Sequence, residues 1–183
     1  SNLVSNAGVV ATDTTGVGLA RNSLAGAGYG GDKAIFGFGF NDSRTNVTNL
    51  VSNAGVVATD TTGVGTANGG RAASGYGGDK AIFGFGHDGS YSSISNLVSN
   101  AGVVASDTTG VGTARNRLAA AGFGGDKAIF GFGYNNSYSN ITNLVSNTGV
   151  VATDTTGVGT ARSGLAASGY GGDKAIFGFG HDG

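Results

Sequence analysis

The chain repeats itself every 47 residues without an insertion or deletion. The string NLVSN begins at Asn2, Asn49, Asn96 and Asn143, and GDKAIFGFG places its acid at Asp32, Asp79, Asp126 and Asp173. A fixed period of this size marks one supersecondary unit that cannot bury both its faces alone and must lean on its neighbours. Four complete units would need 188 residues and the chain has 183. The five left over fall where the other units carry Ser43–Val47, Ser90–Ile94 and Ser137–Ile141, so the sequence reads as four units cut within one connecting loop.

Inside a unit the pattern is that of short strands. Leu24-Ala25-Gly26-Ala27 is a run of small residues suited to closely approaching backbones. Tyr29-Gly30-Gly31-Asp32 supplies the positive φ of a tight hairpin, and Lys33-Ala34-Ile35-Phe36-Gly37-Phe38 is apolar, branched and aromatic. Val47-Thr48-Asn49-Leu50-Val51 alternates with the period of a half-buried strand. After the turn Ser52-Asn53-Ala54-Gly55, Val56-Val57-Ala58-Thr59 reads as a fourth strand, and Asp60–Gly65 as a loop. The expectation is four strands, a to d, in every unit.

Composition narrows the class further. With 38 Gly, no Glu and four Lys, the chain lacks the residues that stabilise exposed helix faces. The absence of Cys removes disulfides, thiolate nucleophiles and Cys-held metals. A net charge of -1 with 11% charged residues argues against nucleic acid and anionic membranes as partners, and no apolar run approaches a membrane span.

Four antiparallel strands in 47 residues is the size of one β-propeller blade. The expected fold is an all-β, four-bladed β-propeller. Its blades are 21–67, 68–114 and 115–161, with a composite blade of 1–20 plus 162–183 in which N-terminal strands c and d pair with C-terminal strands a and b. Arg162-Ser-Gly-Leu165-Ala-Ala followed by Gly-Gly-Asp173-Lys-Ala-Ile-Phe-Gly-Phe-Gly180 resembles the first half of a kelch repeat. Ile94–Asp107 sits where that family carries its second pair of strands, although the family's Tyr and Trp are missing. The likeness is to divergent Gly/Thr-rich kelch-like repeats of phage and environmental sequences. It implies a propeller, and because kelch-like rings usually exceed four blades it also allows two chains to form an eight-bladed ring. A rod-like β-solenoid is the structural rival.

Asp32, Asp79, Asp126 and Asp173 beside paired glycines are expected to fix turns through local backbone bonds. Arg21, Arg115 and Arg162 recur at one position and are expected to pair with a loop Asp of a neighbouring blade, by the family likeness. Asp13, Asp60, Asp107 and Asp154 are single repeated acids, which organise loops more readily than they gather a calcium ion. Unit two departs from the others, with Asn68-Gly69-Gly70-Arg71 where they read Arg-x-x-Leu, and a less well packed start to its inner strand is expected.

Variation between units falls in two places, the b–c loop and the start of strand a. The loop offers Phe40, Asn41, Arg44, His87, Asp88, Tyr91, Tyr134, Asn135, Tyr138, His181 and Asp182 as candidate ligand-binding residues. Aromatic faces beside amides and carboxylates suit sugar rings and their hydroxyls. Near-identical repeats supply the same groups everywhere, whereas catalysis needs unlike groups, so no enzyme, metal or cofactor is expected. The reading is a non-catalytic binding or adhesion module for glycans, extracellular or on a virion surface. The alternatives are a self-assembling structural scaffold, forming oligomers or filaments, and an engineered propeller with no small ligand.

Overall fold

Two glycines in the left-handed region open each hairpin. Gly30 and Gly31 have φ of 61° and 80°, and Tyr29 pairs with Lys33 across them. The computed structural model describes residues 1–183, and it is all β. Unit one contains β1 (Ala25–Tyr29), β2 (Lys33–Gly37), the short hairpin β3 (Phe40–Asn41) and β4 (Ser43–Arg44), and β5 (Thr48–Val51). Unit two contains β6 (Ala72–Tyr76), β7 (Lys80–His87) and β8 (Tyr91–Val98). Unit three contains β9 (Ala119–Phe123), β10 (Lys127–Tyr134) and β11 (Tyr138–Val145), and the chain ends with β12 (Ala166–Tyr170) and β13 (Lys174–Gly178). The sheets run β1–β2–β5, β6–β7–β8, β9–β10–β11 and β12–β13, antiparallel throughout.

The fourth strand of each unit is reduced to single bridges. Val51 pairs with Val57 and Thr48 with Thr61, and the same two contacts recur at Val98–Val104 with Ser95–Thr108, and at Val145–Val151 with Thr142–Thr155. The segment touches strand c at two points, with Val56, Val103 and Val150 left in solvent. The b–c loop is also mostly strand: β7 and β8 run on to the turn Asp88-Gly89-Ser90, and β10 and β11 to Asn135-Asn136-Ser137.

The core lies between units. One cluster joins Tyr29, Ile35 and Phe38 of unit one to Ala81, Phe83 and Val98 of unit two. A second joins Tyr76, Ile82 and Phe85 to Leu118, Ala128 and Phe130. Strand β1 packs on β6, β6 on β9 and β9 on β12. These inner strands are in van der Waals contact, a methyl on Gly75 lying 3.4 Å from the Gly28 carbonyl oxygen, and their Gly and Ala keep that layer thin.

A bulge lets one short motif serve both faces. Residues two apart on a strand share a face, yet Phe83 packs on Phe38 of the preceding unit while Phe85 packs on Phe130 of the following one. Phe85 has φ of 61°, and the register shifts between Gly84 and Gly86, which turns its ring to the opposite side. Phe38, Phe132 and Phe179 share this left-handed conformation, with φ of 62°, 64° and 63°.

The expected pairing of the chain's two ends is not made. Val4 bridges Val10 within the N-terminal segment, and β12–β13 has no third strand. Ser1–Ala20 instead lies against unit one: a methyl on Gly55 would meet the Leu3 side chain, and Asp60 accepts a hydrogen bond from the Leu19 amide at 2.9 Å. That segment is bonded to unit one on its C-terminal side and has nothing of strands a and b on the other.

Candidate functional site: an aromatic row beside a basic cleft

Cross-strand pairing starts the site. At the tips of the b–c hairpins Phe40 is opposite Arg44, His87 opposite Tyr91, and Tyr134 opposite Tyr138. Directly paired residues on one face hold their side chains in contact. The His87 and Tyr91 ring centroids are 5.3 Å apart, and those of Tyr134 and Tyr138 are 5.4 Å apart.

Stacking of the units then joins these pairs end to end. Tyr91 and Tyr134 are 6.2 Å apart across one seam, and Tyr138 and His181 are 5.5 Å apart across the next. At the first seam Arg44 takes the ring's place: its Nε donates to the His87 carbonyl at 2.8 Å and its terminal nitrogen to His87 Nδ1 at 2.7 Å. Because guanidinium only donates, His87 Nδ1 is the acceptor in that contact. Phe40, Arg44, His87, Tyr91, Tyr134, Tyr138 and His181 thus form one continuous row along the edge of the stack, partly exposed throughout.

Their sequence neighbours do something else. Asp88 accepts the Ser90 amide at 3.2 Å, and the Asn135 amide donates to the Ser137 carbonyl at 3.1 Å, so both shape hairpin turns. Asn41 pairs with Ser43 in the first hairpin, and Asp182 is exposed beyond the row. His87 and His181 lie two units apart on one edge, and no three His or Asp side chains converge as an ion site would require.

A cleft of about 470 Å³ flanks the row. It is lined by Phe40, Arg44, His87, Tyr91 and Tyr134 of the row and by Asn22, Ser23, Gly69, Gly70, Asn116 and Arg117 beside them. The second group is tied together by a ladder between units, in which the Gly70 amide donates to the Ser23 carbonyl at 3.0 Å, Arg117 to Gly70 at 3.1 Å and Gly164 to Arg117 at 2.8 Å. The two variable places of the repeat, the b–c hairpin and the start of strand a, therefore line one cleft side by side, with Asn22 bridged to Phe40, Gly69 to His87 and Asn116 to Tyr134. Asn22, Ser23, Asn116 and Arg117 were not among the expected binding residues; the signal for them was their variation from unit to unit. No carboxylate lines the cleft, and the exposed Arg117 is in none of the chain's ion pairs.

The repeated acids and arginines lie away from this edge and hold the units together. Arg115 is fully buried; it donates to the Phe132 carbonyl at 2.7 Å and to Asn143 Oδ1 at 2.7 Å, and lies 4.3 Å from the Phe85 ring centroid of the preceding unit. Asn143 donates in turn to Asp154 at 2.9 Å, and Asp154 receives the Thr113 amide. The Arg21–Asn49–Asp60 series repeats this within unit one. Arg115 thus reaches an Asn of its own unit and a Phe of the previous one, Arg21 reaches Asn49 and Asp60 of its own unit, and Arg162 the Phe179 carbonyl and the Phe132 ring of the previous unit, where a neighbouring blade's Asp was expected. Burial pushes the Arg115 guanidinium down to about 10 and that of Arg71 to about 9, against the opposing pull of Asp154 and Asp107.

The turn acids also act at longer range than expected. Asp32, Asp79 and Asp126 each hold the adjacent Lys and receive Asn53, Asn100 and Asn147, tying hairpin a–b to the c–d turn of the same unit. Asp173 holds Lys174. The Lys and Asn donors lower the carboxyls of Asp32, Asp79 and Asp126 below the usual range.

No protein-family model and no curated protein sequence matches this chain. The functional reading rests on the geometry of the row and cleft.

Proposed function

We propose that the chain is a non-catalytic binding module whose ligand is an extended saccharide lying along the aromatic row. The observation that carries this is the convergence of both variable segments on one cleft, with rings at 5.3–6.2 Å spacing running from His87 to His181 and Arg44 extending the row into unit one. Aromatic faces bury the apolar side of sugar rings, and the Asn and Ser side chains beside the row can take hydroxyls. Arg44 and Arg117, with no carboxylate between them, favour saccharides that carry acidic groups. Adhesion outside the cell or on a virion surface fits such a ligand. The units are read as kelch-like blades.

The test is a glycan array at high protein density, followed by titration of any hit. Tyr91→Ala and Tyr134→Ala should each weaken binding by about tenfold, or about 1.4 kcal/mol, while Val103→Ala, elsewhere on the surface, should not. An array without signal above background overturns the saccharide reading.

A further inference from the structure

The three seams inside the chain define what its two open ends can accept. At each seam the left-handed Phe of one unit meets the first Phe of the next: Phe38 on Phe83, Phe85 on Phe130, Phe132 on Phe177. A buried Arg of the later unit covers the earlier ring, as Arg71 covers Phe38 and Arg115 covers Phe85. Backbone bonds run alongside, from Gly30 to the Asp79 carbonyl, Gly77 to Asp126 and Gly124 to Asp173.

Each half of a fourth seam is present and unpartnered. Phe179, the counterpart of buried Phe38 and Phe85, is 89% exposed at one end; Phe36, the counterpart of Phe83 and Phe130, is 38% exposed at the other. Arg21 has no ring beneath it. The sheet edge is split in the same way. β13 lacks the third strand that β7 finds in β8, leaving Ile176 58% exposed where Ile82 is buried. Residues Asn2–Val4 carry that third strand's sequence, and Val4 is 64% exposed where Val98 and Val145 are fully buried.

We propose that a second copy of this chain docks head to tail, its Ser1–Val4 adding to β13 of the first and its Phe36 and Arg21 packing on Phe179. The register follows from the internal sheets. Ala34 pairs with Val51 and Ile35 with Leu50, so Ala175 takes the second copy's Val4, and Ile176 its Leu3. Gly171 donates to the second copy's Asp32 carbonyl, as Gly30 does to Asp79. The composite sheet expected within one chain is thereby formed between two. An unpaired strand edge above an apolar face is the standard template for such addition. The contact is heterologous, so it closes as a ring or extends as a filament according to the rotation per unit. This docking is independent of the saccharide cleft, which lies on the edge of the stack.

The test is mass in solution by light scattering over a range of concentrations. The unmodified chain should gain mass as concentration rises. Phe179→Asp blocks one end and Val4→Asp the other, so each variant alone should stay monomeric, while an equimolar mixture should give a species of twice the monomer mass. Gly178→Ala keeps the variant foldable: a methyl there meets nothing in the single chain, although at the equivalent Gly84 it would lie 2.6 Å from the next unit's Phe130 ring. It should leave the thermal midpoint unchanged and weaken association at least tenfold. A chain that stays monomeric at all concentrations, or end variants that associate like the parent, overturns the proposal.

Discussion

The guanidinium of Arg71 lies 4.1 Å from the centroid of the Phe38 ring, although it leaves the backbone three residues later than Arg21, Arg115 and Arg162 do in their units. Unit two has exchanged positions: Asn68 stands where the others have Arg, and Arg71 where they have Leu. The charge nevertheless arrives at the same place, donating to Asn96 at 2.7 Å and to the Phe83 carbonyl at 3.1 Å. Its strand starts buried, contrary to the looser packing expected. What the exchange costs is hydrogen bonding, since Asn68 Nδ2 and Arg71 Nε have no partner. Restoring the common pattern with Asn68→Arg and Arg71→Leu together should raise stability by about 1–2 kcal/mol, read as the urea midpoint.

Arg115 shows the same group without that cost. Its removal leaves Asn143 Oδ1 and the Phe132 and Thr113 carbonyls buried without a donor. Arg115→Met should lower stability by about 3 kcal/mol, well beyond Arg117→Met at an exposed position. Equal effects for the two in a denaturant titration would contradict the structural role given to Arg115.

The seam glycines offer a matched pair within one repeat position. A methyl on Gly84 would lie 2.6 Å from the Phe130 ring, whereas one on Gly178 meets nothing. Gly84→Ala should cost about 2 kcal/mol, and Gly178→Ala should stay within about 0.5 kcal/mol of the parent in dilute solution. Thermal unfolding of the two variants side by side checks this.

Acid should weaken the stack through Asp107 and Asp154. Partial burial raises both carboxyls, but hydrogen bonds from Thr66 and Asn96 to one, and Thr113 and Asn143 to the other, with Arg71 and Arg115 nearby, bring them net below 3.8. A folded-state value below the unfolded one contributes stability that is present above the unfolded value and lost as pH falls through the folded one. The urea midpoint should therefore hold from pH 7 to about 5 and drop below about pH 4. Asp107→Asn should lower the midpoint at pH 7 and flatten that drop.

The hairpins were legible because Gly30-Gly31 and the alternation around Ile35 and Leu50 are local signals. The repeat also announced that faces must be buried between units, as Phe38 against Phe83 bears out. The bulge was not legible: alternation puts Phe83 and Phe85 on one face, and only the positive φ of Phe85 separates them. Val56-Val57 read as a strand by composition, but two bridges are all it forms. The joining of the ends was inferred from complementarity of sequence, which is satisfied equally by one chain or by two. The candidate edge was half legible, since the hairpin aromatics stood out while Asn116 and Arg117 drew notice only by varying.

The open order of the units is tested most directly between Asn6 and Asp173. At the internal positions that correspond to them, Asn53 and Asp32, Asn100 and Asp79, and Asn147 and Asp126 are hydrogen-bonded at 3.0–3.2 Å. The chain has no Cys, so Asn6→Cys with Asp173→Cys gives two unique spin-label sites. In dilute solution the doubly labelled chain should show no contact-range distance, and a concentrated mixture of singly labelled copies should show one. A contact-range distance within the dilute monomer would mean that the chain closes on itself, contradicting the open stack.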